Sequence, residues 1–376
     1  MQIQNQEWAQ STLTRIEAKM ARVVARNRHI IPYTTDQAGH FQDMDVQNPY
    51  WWTNGFWGGI LWQLYHLTND QLYREEAIEV EEKLDRNLQR SECLDHDNGF
   101  KWGLTAVAHY RILRDQAAKN RGMLAAENLA GRFNLNGRYL RAWNDLPDQN
   151  RSGIVIIDCM MNLPLLYWAS EETQDPRFKQ VAVAHAKTAQ AHIVRPDGSV
   201  KHIIEFDPVS GEYLRSDGGQ GYGHGSSWTR GQAWGIYGFT LSYEATKDES
   251  FLNTARQIAQ YFIANTPADH LIPIDFRMPK EPWWEDDTAA AIAASGLIEL
   301  AKHVAEADAA IYLNAAVALL KTLVEQRCNW DQETDNLLTK CSASYFEDQH
   351  EYPIIYGDYF FIEALTKLAG QDINLW

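Results

Sequence analysis

What most constrains the fold of this chain is a repeated joint between amphipathic helical segments. Apolar residues recur at helical spacing over 8–28, 53–67, 72–89, 99–113, 117–133, 154–170, 176–194, 228–245, 250–265, 288–305, 310–328 and 357–368. Short polar turns join these segments in pairs: Leu67-Thr68-Asn69-Asp70, Leu113-Arg114-Asp115, Glu172-Thr173-Gln174-Asp175, Ala245-Thr246-Lys247-Asp248 and Ala305-Glu306-Ala307-Asp308. Turns this short make antiparallel helical hairpins, and each Asp stands where it can cap the free N–H groups of the next helix. Five joints give five hairpins, and the first and last segments are expected to pair as a sixth. The joints are unevenly spaced, which argues against an open solenoid of fixed period. The expected fold is all-α: an (α/α)6 barrel, a toroid of two concentric helix rings. No Pro- or Ser-rich linker divides the chain, so residues 1–376 are read as one domain.

Longer segments rich in aromatic and turn residues lie between the hairpins, at 34–52, 93–101, 133–151, 197–227, 267–287 and 336–356. Within one of them, 199–206 and 213–215 flank Asp207-Pro208-Val209-Ser210-Gly211 and read as a small β-hairpin. The connections that follow the inner helices are expected to gather at one mouth and to hold the site. A net charge of −16 repels polyanions, so nucleic acid is not an expected partner, whereas a small anion fits a locally basic pocket. The first residues lack a basic start followed by an apolar run, and no uninterrupted apolar stretch has bilayer length. Cys93, Cys159, Cys328 and Cys341 are scattered, without metal-ligand spacing. A cytoplasmic protein with reduced thiols, no membrane partner, no metal and no cofactor is expected. P-loop, dinucleotide and Gly-x-Ser-x-Gly motifs are absent, which disfavours phosphoryl transfer, hydride transfer and serine hydrolysis.

The segment Gly219-Gln220-Gly221-Tyr222-Gly223-His224-Gly225-Ser226-Ser227-Trp228-Thr229-Arg230-Gly231-Gln232-Ala233-Trp234 carries the first chemical signal. Its glycines let backbone approach a ligand, Trp rings offer the flat apolar faces on which sugars stack, and an Arg fork grips carboxylates. A cation at a helix start opposes the dipole, so Arg230 is expected to point at something negative. Asp158 follows four β-branched residues and precedes Cys159-Met160-Met161; desolvation there would raise its pKa and keep it protonated, unless it simply caps a helix. Asp97, in Leu94-Asp95-His96-Asp97-Asn98-Gly99-Phe100, is either a second functional acid or an Asx-turn former. His202 alternates along the proposed β-hairpin, where it can be a plain surface residue. Trp51, Trp52, Trp143, Trp283 and Trp284 fall in connections, as stacking platforms would.

Together these blocks resemble the unsaturated glucuronyl hydrolases of glycoside hydrolase family eighty-eight over nearly the whole chain. The match is carried by Trp52-Thr53-Asn54-Gly55-Phe56-Trp57-Gly58-Gly59, Leu94-Asp95-His96-Asp97-Asn98-Gly99-Phe100, Ile156-Ile157-Asp158-Cys159-Met160-Met161-Asn162-Leu163-Pro164, the segment from Ser227 to Gly238, and Tyr356-Gly357-Asp358-Tyr359. The resemblance implies an (α/α)6 barrel and a reaction on lyase-generated sugars bearing a C4=C5 double bond: proton to C4, water to C5, then collapse of a hemiketal that frees the neighbouring sugar. By position it implies Asp158 as general acid/base and Asp97 as second essential carboxylate, with Asp95 as fallback. It implies His96, His202, Gln220, Arg230 and Tyr356 as polar contacts, and Trp52, Trp143 and Trp234 as aromatic walls. Sulfate-tolerant relatives carry a Ser/Lys cluster before the final Gly-Asp-Tyr; here 341–359 has no Lys or Arg but has Glu347, Asp348, Glu351 and Asp358, so unsulfated substrates are expected. Competing readings are a rhamnogalacturonyl hydrolase on pectin fragments, an inverting glycosidase, and a catalytically silent sugar-binding protein.

Overall fold

Four of the five joints share one local geometry in the computed structural model, which describes residues 2–376. Asn69, Arg114, Gln174 and Lys247 end their helices in the left-handed region, with φ of 56°, 59°, 57° and 57°. The following acid then caps the next helix. Asp70 accepts from the N–H of Leu72 at 2.9 Å, Asp115 from Ala118 at 2.8 Å, Asp175 from Arg177 at 3.0 Å and Asp248 from Ser250 at 2.9 Å. The fifth joint departs from the expectation. Its helix already starts at Glu306 behind Ala305, which has no capping side chain, so Asp308 lies inside the first turn and pairs with Arg256 at 2.7 Å.

The inner ring consists of Phe56–Thr68, Gly99–Val107 continuing as Ala108–Leu113, Leu163–Thr173, Thr229–Thr246, Asp287–Ala301 and Ile355–Ala369. Each packs on the next, and Ile355–Ala369 closes the circle on Phe56–Thr68. Outside them stand Gln71–Lys83, Gln116–Gly131, Pro176–His192, Glu249–Asn265 and Glu306–Thr322, while Gln2–Arg26 packs on Ile355–Ala369 as the sixth pair. Burial separates the rings: Asp287–Ala301 is buried at every position, whereas Glu306–Thr322 buries a stripe. Small residues let the inner helices approach; a Cβ on Gly238 would sit 2.4 Å from the Cβ of Met160, so only glycine admits the turn that carries Asp158.

One helical run, Glu306–Arg327, is long and apolar enough to cross a membrane by length and composition, with an 18-residue window of mean hydropathy 1.4, although charged residues interrupt it. It serves here as the outer partner of Asp287–Ala301.

The β-hairpin is present as Ile203–Phe206 paired antiparallel with Tyr213–Asp217. Its sheet has a third strand that the helical reading of 154–170 missed: Ile154–Ile156 pairs antiparallel with Ile203–Phe206. Consecutive β-branched side chains pack better on a pleated surface than in a helix, so the run stays extended through Ile156. A 3-10 turn, Ile157–Met161, follows, and the helix begins only at Leu163, with Pro164 in its first turn.

Candidate active site

Because the short joints follow the inner helices, the long segments are those that lead into them, and the mouth is at the opposite end from that expected. Trp52, Asp97, Asp158 and Trp228 each stand just before an inner helix, while Arg230 and Tyr356 lie in first turns. The N-terminal ends of the inner ring therefore converge on the site. Their dipoles make it locally attractive to anions despite the net charge of −16.

Asp158 is buried and caps no helix. Burial pushes its carboxyl up to about 7, against the opposing pull of Arg230. Other buried carboxyls are raised as well, among them Asp287 to about 8 and Asp358 to about 7, again mainly by burial. Those two pin backbone: Asp287 accepts from the N–H of Lys340, and Asp358 from those of Leu337 and Leu338. Asp158 differs because its Oδ2 has no hydrogen-bond partner. Around it, among the described residues, both ring nitrogens of His96, His202 Nε2, Trp228 Nε1 and Trp234 Nε1 are likewise buried without partners. Buried polar atoms are ordinarily satisfied, so these atoms beside Asp158 are free to meet a polar ligand.

His202 is buried, not a surface residue, and burial pushes it down to about 3, so the ring is neutral. Its Nδ1 accepts from the N–H of Gln220 at 2.9 Å, which leaves its proton on Nε2, 3.6 Å from Asp158 Oδ2. Gly219, at φ 57°, permits this approach, since a Cβ there would lie 2.0 Å from His202 Nδ1. Gln220 thus acts through its backbone, while its side-chain amide donates to the carbonyl of Ala343 at 2.7 Å. His96, also pushed down to about 3 by burial, lies 3.4 Å from Asp97.

Asp97 is buried, and its carboxyl is held well above the usual range by burial and by Asp95. The Asx-turn in this loop belongs to Asp95, which accepts from the N–H of Asp97 at 3.0 Å and lies 3.6 Å from Lys101. Of the two acids, Asp97 is the one raised by like-charge repulsion from Asp158, while Asp95 lies against Lys101.

Arg230 does point at a negative group, but that group is the protein's own. It is 1% exposed and donates to Asp286 at 2.6 Å, Thr288 at 3.2 Å and the carbonyl of Ser342 at 2.8 Å, and also to the carbonyl of Ala343. Among the aromatic candidates, Trp52 meets Tyr356 at 5.0 Å and Phe100 at 5.6 Å, and Phe100 meets Trp234 at 5.3 Å, forming one wall. Trp143 stands apart, half-buried on the solvent face of the three-stranded sheet.

Sequence reasoning missed Asn162, which joins the two carboxylate loops. Its Oδ1 accepts from the N–H of Phe100 at 2.8 Å and its Nδ2 donates to Asp97 at 3.3 Å. Its own N–H closes the turn bearing Asp158, onto Cys159 at 2.9 Å. The available signal was a buried-type polar residue inside an apolar run. Asn162→Ala is expected to lower kcat by about 10- to 100-fold with KM changed less, since it frees Asp97 without touching the aromatic wall. Steady-state kinetics would refute this if KM rose and kcat held.

The Glycosyl Hydrolase Family 88 pattern matches residues 25–274. The chain belongs to this family. It is 38% identical over 333 residues to the unsaturated glucuronyl hydrolase of Bacillus sp. (strain GL1), covering 86% of this chain and 88% of that one. The unsaturated chondroitin disaccharide hydrolase of Streptococcus pneumoniae (strain ATCC BAA-255 / R6) is 35% identical, over 86% of this chain and 83% of its own. The crystal structure of the Bacillus sp. GL1 enzyme superposes with a TM-score of 0.90 at 35% identity, over 96% of each chain. The six-hairpin barrel is thus the family fold, and the chain is a glycoside hydrolase.

Proposed function

We propose that this family member hydrates the C4=C5 enol ether of an unsaturated uronic acid at the non-reducing end of short sugars. The products are a 4-deoxy-5-keto uronate and the neighbouring sugar. The observation that carries the reading is Asp158: a desolvated carboxyl with a free oxygen, set among unpartnered polar atoms at the convergent helix N-termini. In the protonated form Asp158 delivers its proton to C4, and the resulting carboxylate takes a proton from the water that adds at C5. The hemiketal so formed opens at the C5–O5 bond to a C5 ketone, which leaves a hemiacetal at C1. That hemiacetal collapses to the aldehyde, breaking the C1–O bond and releasing the neighbouring sugar as its alcohol. His202 Nε2–H faces Asp158 and stabilises its carboxylate once the proton has left. Asp97 holds sugar hydroxyls, and Trp52, Trp234 and Tyr356 supply the wall for the ring. The free thiols fit a cytoplasmic setting, where a polysaccharide lyase elsewhere supplies the substrate.

The conjugated double bond absorbs in the ultraviolet, so the test is direct. With an unsaturated, unsulfated chondroitin or hyaluronan disaccharide the absorbance should decay, with a rate that falls as pH rises through about 7, where Asp158 loses its proton. Persistent absorbance with release of the neighbouring sugar from a saturated glucuronide would favour an ordinary glycosidase instead.

The segment 341–359 also supports a preference for unsulfated substrates, though on fewer charges than its composition suggests. Asp358 is buried on backbone N–H groups and Glu351 pairs with Lys340 at 3.2 Å, leaving Glu347 and Asp348 exposed. A sulfated chondroitin disaccharide should turn over about tenfold more slowly in kcat/KM than its unsulfated counterpart. Faster turnover of the sulfated sugar would refute this.

A further inference from the structure

The end of the barrel away from the mouth is filled by the chain itself. After Ile355–Ala369, Gly370 at φ 72° reverses the backbone, and residues 371–376 turn back beneath the inner ring. Arg111, in the last turn of Ala108–Leu113, donates to the main-chain oxygens of Asn374 at 2.9 Å and Trp376 at 2.7 Å. Leu375 and Trp376 are buried there. The indole N–H of Trp376 donates to Glu363 at 2.6 Å, and this buried carboxyl also accepts from the hydroxyls of Tyr237, Ser295 and Tyr359. Donors from three inner helices fix the carboxyl, and the carboxyl fixes the indole between them.

Aromatic rings join this end to the mouth. Trp376 stacks on Phe360 with centres 5.9 Å apart and planes at 2°, and it meets Phe100 edge-on at 6.0 Å. Both of those rings meet Trp234, each at 5.3 Å, and Phe100 also meets Trp52 at 5.6 Å. Trp234 and Trp52 are the faces assigned to the sugar. The packing behind them has little slack: the void that Leu375 and Trp376 share with Gly99, Met161 and Pro164 measures about 10 Å³. Gly99 stands two residues after Asp97 and Met161 three after Asp158, so the segment also backs both carboxylate loops. In an interior packed this tightly, removing a ring strips contacts from one side of its neighbours, and they shift toward the space.

Building on the proposed hydration of unsaturated uronic acids, we propose that Trp376 is a positioning residue for that reaction. Acting through Phe100 and Phe360, its ring holds Trp52 and Trp234 at the spacing that grips the sugar. The test measures KM and kcat on an unsulfated unsaturated disaccharide, together with Tm, for wild type, Trp376→Leu, Trp376→Phe and Ser295→Ala. Trp376→Leu keeps apolar bulk without a ring, and should raise KM about tenfold with kcat within about threefold. Trp376→Phe keeps a ring but loses the bond to Glu363, so it should lower Tm yet hold KM within about twofold of wild type. Ser295→Ala strips a different donor from Glu363, and should lower Tm with KM unchanged. A Trp376→Leu protein with the wild-type KM, or Ser295→Ala raising KM as much as Trp376→Leu does, would overturn the positioning role. No turnover by wild type would instead overturn the hydration reading, and the positioning role with it.

Discussion

Asp158→Asn is expected to lower kcat by at least about a thousandfold while making the protein more stable at neutral pH. The first effect follows from removing the proton that the proposed reaction delivers to C4. The second follows from the cause of its raised pKa. Burial penalises the carboxylate, so Asp158 titrates near 7 when folded and near 3.8 when exposed in the unfolded chain. Between about pH 4 and 7 the native state therefore holds the extra proton, and native stability contributed by this group falls as pH rises across that window. Asparagine has no proton to lose. The stability difference between variant and wild type should be near zero below pH 4 and grow to a plateau above pH 7. Its size is on the order of 1–4 kcal/mol. Urea denaturation of both proteins at several pH values measures it. A variant that is inactive and equally destabilised at all pH values would show that Asp158 is a structural residue and not the acid.

Arg230→Met carries the largest expected loss of stability, about 3–5 kcal/mol. The guanidinium and Asp286 are both almost fully buried, so removing the cation leaves a desolvated carboxylate without its partner. It also releases the carbonyls of Ser342 and Ala343, which hold the 341–352 connection over the mouth. Adding Asp286→Asn should recover part of the loss, because the uncompensated charge is then gone; a double-mutant cycle by urea denaturation reads that coupling. A second readout separates electrostatics from packing. Arg230 is the main group that pulls Asp158 down, so in the variant that folds, the high-pH limb of kcat should move to higher pH. An unmoved limb would mean that Arg230 serves the fold alone.

Much of this architecture is legible in the chain because it is local. A helix is a matter of apolar spacing over four residues, and Asp70, Asp115, Asp175 and Asp248 cap the helices that follow them within three residues. Hairpin count, ring closure and the β-hairpin follow from such short-range rules. The strand at Ile154–Ile156 was obscured because its partner, Ile203–Phe206, lies far along the chain, and apolar content alone suits both a buried helix and a strand.

The site depended on distance. Motif order along the chain marked Asp158, Asp97, His202, Trp52, Trp234 and Tyr356, yet their state is decided by neighbours remote in sequence. Asn162 reaches Asp97 across 65 positions, and Asp286 occupies Arg230 across 56. No reading of Arg230 in its own segment shows that its negative partner is internal. Likewise, which end of the barrel forms the mouth follows from the short turns being taken by the inner-to-outer connections. Sequence by itself determined the helices, their pairing and the set of residues from which the site is drawn, because hydrogen bonding and periodicity act over a few residues. Tertiary structure alone decided which carboxyl is desolvated enough to keep its proton, because desolvation is set by every segment that closes around it.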